Sequence, residues 1–136
     1  MSPTEARGCG EGSAGSPAIE LASRLVKGLS SGLEAFVLDK REDDYDLLVK
    51  ILNLSGVRGV LLSKDLGPYV VVYLDRAAIE RRCLYDACSS AQGLTERRVC
   101  AKRCAAERLG ETIRQVSESL CEAARSLAPR GPPGGA

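Results

Sequence analysis

Residues 57–74, VRGVLLSKDLGPYVVVYL, decide the fold. Two β-rich runs, Val57–Ser63 and Pro68–Leu74, flank Lys64-Asp65-Leu66-Gly67, a segment able to turn, so the stretch predicts a β-hairpin. Upstream, Gly56 suits the C′ position of a helix. The helix before it is marked by the stripe Tyr45, Leu48, Val49 and Leu52, with Leu47, Ile51 and Leu54 beside it. Its acidic start, Asp39, Asp43, Asp44 and Asp46, suits the positive end of the macrodipole. That explains these carboxylates better than a cation site does. Further back, LEAFVL (Leu33–Leu38) reads as a strand. Ahead of it, Ser16-Pro17 is a helix start: a hydroxyl cap followed by Pro at the first helical position. Ala18, Leu21, Ala22, Leu25, Val26 and Leu29 follow at helical spacing, and Gly32 ends that helix.

Downstream of the hairpin, Arg76–Ser90 reads as helix, Gly93 breaks it, and Thr95 can cap a last helix over Glu96–Ala128. The order is α-β-α-β-β-α-α. The expected fold is α+β: a small antiparallel sheet of about three to four strands covered by helices, then a helical hairpin and a long C-terminal oligomerisation helix. Residues 17–92 form the α/β domain and 93–128 the C-terminal helix. The Gly/Ser-rich segment 1–16 and the tail 129–136, PRGPPGGA, read as disordered.

Composition narrows the function. The chain of 136 residues has no histidine, which removes the commonest general acid–base and metal ligand. No phosphate loop, dinucleotide fingerprint or nucleophile elbow is present. The expectation is a non-enzymatic protein with no cofactor and no small-molecule substrate. Residues 1–16 lack an apolar signal core, and no run is long and apolar enough to span a membrane, so a cytoplasmic setting is expected. One Asn, two Gln and one Met fit a thermophile's avoidance of labile residues.

Six cysteines stand out: Cys9, Cys83, Cys88, Cys100, Cys104 and Cys121. In an antiparallel helical hairpin, residues equidistant from the turn face each other. Both 83/104 and 88/100 centre on residues 93–94, so Cys83–Cys104 and Cys88–Cys100 can both close if their Cα atoms come within about 7 Å. The C-x4-C spacing strains this, because five residues overshoot a helical turn by about 140°, unless Cys88 sits in a frayed last turn. A four-thiolate metal site is the alternative, although C-x4-C with C-x3-C departs from the tight spacing of structural zinc. Four buried reduced thiols remain a third option. Cys9 and Cys121 have no evident partner.

On the last helix, Ala106, Leu109, Ile113, Val116, Leu120, Ala123 and Leu127 alternate spacings of three and four, as an a/d seam does. The flanks Gly110, Ser117 and Ala124, and Thr112, Ser119 and Ser126, are small and uncharged, which lets helices approach closely. Packing on its own domain would give the same stripe over this length. The small flanks favour assembly between subunits through Leu109, Ile113, Val116, Leu120 and Leu127, as a homodimer or homotetramer.

Residues 76–108 carry eight basic and four acidic side chains, the one markedly positive stretch. Arg76, Arg81, Arg82, Arg97, Arg98, Lys102 and Arg103 are candidate phosphate contacts, since the guanidinium fork matches phosphate oxygens. Tyr69, Tyr73 and Tyr85 are candidate stacking platforms for unpaired bases. A solvated helix face would look similar.

The plan of leading helix SPAIELASRLVKGL, strands LEAFVL, VRGVLLS and PYVVVYL, and a terminal helical element resembles the archaeal ThermoDBP-type single-stranded DNA-binding proteins over roughly residues 17–128. The resemblance implies a compact α/β binding domain assembled into dimers or tetramers that hold single-stranded DNA. It assigns no individual binding residue. The expected function is therefore an oligomeric, sequence-tolerant binder of single-stranded DNA or RNA. The alternatives are a protein-interaction subunit without nucleic-acid binding, and a thiol-redox or structural-metal protein.

Overall fold

A computed structural model describes Cys9 and residues 16–31 and 35–127. The element order is α1 (Pro17–Ser30), β1 (Ala35–Asp39), α2 (Tyr45–Ser55), β2 (Leu61–Leu66), β3 (Tyr69–Leu74), α3 (Arg76–Tyr85) and α4 (Leu94–Leu127). The class is α+β: a three-stranded antiparallel sheet with helices on one face and a long C-terminal helix.

Local chemistry sets the helix starts. The Ser16 hydroxyl accepts from the Ile19 N–H at the head of α1. Asp44 accepts from the Leu47 N–H at the head of α2, and Asp75 from the Ala78 N–H at the head of α3; each satisfies an otherwise orphaned helical donor. The acids before α2 are thus caps and ion-pair partners: Asp43 meets Arg24 and Asp39 meets Arg41. Gly56 ends α2 at φ 70° with open space around it. A Cβ there meets no atom, so Gly56→Ala should cost about 1 kcal/mol from backbone strain alone, read as a shift in the urea midpoint with unchanged slope.

The sheet order is β1-β3-β2, so β3 is central. Leu66 pairs with Tyr69, leaving Gly67 and Pro68 as a two-residue turn with glycine first at φ 81°. Strand β2 therefore lies later than the hairpin pattern places it. Val57–Val60 is not strand but a tight turn, in which the Val60 and Leu61 N–H groups both donate to the Val57 carbonyl. Val57 and Val60 are buried as a turn would bury them, which mimics a strand in sequence. Strand β1 begins at Ala35, and Leu33, Glu34 and Gly32 lie outside the described residues. Helix α3 ends at Tyr85, not at Ser90, and α4 begins at Leu94, so Thr95 lies inside it instead of capping it.

One core unites the sheet with α1, α2 and α4. It holds Leu25 from α1, Leu48, Ile51 and Leu52 from α2, Leu61, Val70 and Val72 from the strands, and Val116, Leu120, Ala123 and Ala124 from α4. The α4 stripe, expected to meet copies of itself, is thus occupied within its own chain. Val116 and Leu120 are buried, while Leu109, Ile113 and Leu127 pack against the same core. The small flanking Ala124 is fully buried, so the close approach it permits is to the chain's own helices. The core does not divide at residue 93 either. The opposite face of α4 is solvated, with Arg114 bridging Glu111 and Glu118.

Cys9 corrects the reading of the first sixteen residues. It is buried and bonded to Cys121, across 112 residues, with a Cα–Cα distance of 5.1 Å. Its N–H donates to the Ser23 hydroxyl of α1 at 3.1 Å, and its carbonyl accepts from Arg125 of α4 at 3.1 Å. Neither Cys9 nor Cys121 is unpaired. A Gly/Ser-rich surrounding gave no periodicity from which to find that anchor. The remainder of segment 1–15, and the tail after residue 127, lie outside the described residues.

Candidate nucleic-acid interface

The hairpin of α3 and α4 is stapled twice. Cys83 bonds Cys104 and Cys88 bonds Cys100, with Cα–Cα distances of 6.1 and 5.8 Å. Since α3 stops at Tyr85, Cys88 lies in the turn beyond it. Its N–H donates to the Cys83 carbonyl at 2.8 Å, which folds the chain back and removes the rotational mismatch of C-x4-C. With all four sulfurs bonded to one another, none of them is a thiolate for a metal. Around these bonds sits a second, small apolar cluster of Cys83, Cys88, Ala101 and Cys104, separate from the main core, with Leu84 and Cys100 against it.

Between the two helices, at the end where the 86–93 turn joins them, lies a groove of about 570 Å³. Glu80, Leu84 and Tyr85 line it from α3, Ser89 from the turn, and Leu94, Arg97 and Arg98 from α4. Two apolar side chains stand unusually open there: Tyr85 is 86% exposed and Leu94 81%. The Arg97 Nε donates to the Ala91 carbonyl at 3.0 Å, which fixes the guanidinium without neutralising it. Arg108 differs, since it is paired with Asp86 at 2.9 Å.

The expected binding residues fall into three places. Tyr85, Arg97 and Arg98 share the groove. Arg98, Lys102 and Arg103 are exposed on α4 and form no ion pair among the described residues. Arg81 reaches Asp75 at 3.9 Å, Arg76 opens α3, and the Arg82 guanidinium lies over Gly59, where a Cβ would stand 3.6 Å from it. Tyr69 and Tyr73 are elsewhere, on the sheet.

Strand alternation puts Ala35, Val37 and Asp39 of β1, Leu62, Lys64 and Leu66 of β2, and Tyr69, Val71 and Tyr73 of β3 on one face, away from the main core. Val37, Leu66 and Tyr69 are exposed there. At its edge Arg41 pairs with Asp39, and Lys40 with Asp65 at 2.8 Å, while Lys64 on the face itself forms no ion pair among the described residues. The Lys40 ammonium holds the Asp65 carboxyl below its ordinary range, and Arg41 does the same for Asp39. Arg41 also lies over the Tyr69 ring, 5.9 Å from its centre. Sequence spacing grouped the three tyrosines. The open sheet face was visible only once β1 was known to pair with β3.

Fold and surfaces define a disulfide-stapled α+β domain with one basic groove and one open apolar sheet face. No protein-family model, curated protein or solved structure matches the chain. Among the described residues, no helix is long and apolar enough to cross a membrane.

Proposed function

We propose that this chain is a sequence-tolerant binder of single-stranded nucleic acid, and that the α3–α4 groove is where it grips the strand. One observation carries the reading: an 86%-exposed tyrosine ring shares a groove with two arginines that have no carboxylate partner among the described residues. Tyr85 offers a stacking face to an unpaired base, while Arg97 and Arg98, with Lys102 beyond them on α4, neutralise phosphates. Glu80 on the α3 wall repels phosphate and so favours the α4 side for the backbone. The resemblance to ThermoDBP-type proteins points the same way. A cytoplasmic, thermophilic setting accords with it too, since intracellular proteins of hyperthermophiles are rich in disulfides.

Titration of labelled oligo-dT tests this. With three to four phosphates neutralised, affinity should fall roughly 20- to 50-fold between 50 and 200 mM salt. Replacing Arg98 and Lys102 by Ala should weaken binding and flatten that slope. No binding at low salt would remove the proposal.

A second reading, docking of a protein, is favoured by the open sheet face. Its exposed apolar side chains, Val37, Leu66 and Tyr69, suit a protein surface better than a polyanion. Because the α4 stripe packs on the chain's own core, self-association would use this face.

A further inference from the structure

We infer that the outer hairpin bond, Cys88–Cys100, is a redox-sensitive latch on the groove, opened by a dithiol reductant while the other two disulfides stay closed. What the latch controls rests on the nucleic-acid reading above; its chemistry does not.

Access separates the three bonds. Cys9, Cys121, Cys83, Cys88 and Cys104 are all buried, and Cys100 alone is half-buried. Exchange requires a thiolate to reach a sulfur, so Cys100 is the point of attack. Charge agrees: Arg97 and Arg103 lie three residues either side of Cys100 on α4, about one turn away. Cations there draw in an attacking thiolate and stabilise the one that leaves.

Local support agrees as well. The hairpin end does not reach the main core, and its own small cluster is built largely from these cysteines. Residues 86–93 are not helical, and turn hydrogen bonds hold them, among them Ala91 N–H to the Cys88 carbonyl at 3.2 Å and Arg97 Nε to the Ala91 carbonyl. Such segments open at low free energy cost once a cross-link is gone. Cys9, in contrast, is pinned through its backbone from both α1 and α4.

The reaction is ordinary exchange. One thiolate of the dithiol attacks Cys100 Sγ, the Cys88–Cys100 bond breaks, and Cys88 leaves as a thiolate that takes up a proton. The second thiol of the reductant then attacks the mixed disulfide and releases Cys100. Two electrons pass to the protein, which gains two thiols, and the dithiol becomes a disulfide. Tyr85 and Ser89 sit within three residues of Cys88, whereas Arg97 and Arg98 sit on the helix that carries Cys100. Opening the bond releases the turn that carries Ser89 from α4 and loosens the groove at that end, while Cys83–Cys104 still joins the two helices.

Stepwise reduction of the whole chain with dithiothreitol, quenched by iodoacetamide and mapped by peptide mass, tests the latch directly. The first two alkyl groups should appear on Cys88 and Cys100, at reductant levels that leave the other four cysteines unmodified. Oligo-dT binding at that point should fall about tenfold through lost preorganisation and return on reoxidation. The double variant Cys88→Ser, Cys100→Ser should bind as weakly with or without reductant. First opening of another pair, or opening of all three together, overturns the latch. Selective opening with unchanged affinity overturns its control of the groove. An oxidised chain that binds no oligo-dT, yet opens selectively at Cys88–Cys100, overturns the nucleic-acid reading and leaves the selective chemistry standing.

Discussion

Replacing Cys9 and Cys121 together by Ala is expected to destabilise the oxidised chain by about 5 kcal/mol, the largest loss that removing any one disulfide should cause. The reason is length. A cross-link across 112 residues restricts the unfolded ensemble more than the hairpin bonds, which span 21 and 12. The same chain-entropy scaling gives those about 3 kcal/mol each. The folded state loses its clasp as well. The Cys9 backbone meets Ser23 of α1 and Arg125 of α4, and these two contacts depend on the sulfur bond to keep Cys9 in place. Thermal unfolding followed by circular dichroism without reductant should show a fall in Tm of about 15–20 °C. A change of only a few degrees would mean that the bond does not close in the folded protein.

Leu120→Ala is the second large effect. Leu120 is 0% exposed within a single chain, where α4 crosses the core built by α1, α2 and the sheet. Truncating such a residue costs the lost transfer energy plus a cavity, together about 2–5 kcal/mol. Urea unfolding should show that loss at a protein concentration where sedimentation reports no change of mass. Dissociation of an oligomer with the domain still folded would mean instead that the stripe joins subunits.

The α4 stripe was plain in the spacing of Leu109, Ile113, Val116, Leu120 and Leu127. Periodicity reports which face is apolar and nothing about what covers it. Small flanks at Ser117 and Ala124 suggest room for another subunit, and Ala124 uses that room against its own domain. Element starts with a side-chain mechanism were legible: Ser16-Pro17 heads α1 and Asp44 heads α2. Boundaries without such a mechanism moved. Val57 and Val60 are apolar and β-branched like strand residues, yet the left-handed Gly56 before them sends the chain into a turn.

The site divided along similar lines. The facing of Cys83 with Cys104, and of Cys88 with Cys100, follows from symmetry about the turn, so it was readable from position alone. The Cys9–Cys121 bond joins elements whose adjacency depends on α1 packing against α4, and no local pattern encodes that. Likewise Tyr69 and Tyr85 both lie near the basic stretch 76–108 in sequence. The strand order β1-β3-β2 puts Tyr69 on an open sheet face beside Arg41, while Tyr85 projects at the far end of α3.

The claim at the centre of this account is that a strand lies across the walls of the α3–α4 groove. Amide and side-chain chemical shifts of the labelled, oxidised protein, followed by NMR as oligo-dT is added at low salt, test it most directly. The account predicts perturbations gathered at Leu84, Tyr85, Ser89, Leu94, Arg97 and Arg98 that fade as salt is raised. Perturbations confined to Val37, Leu66, Tyr69 and Val71 on the sheet, or none at saturating oligonucleotide, would contradict it.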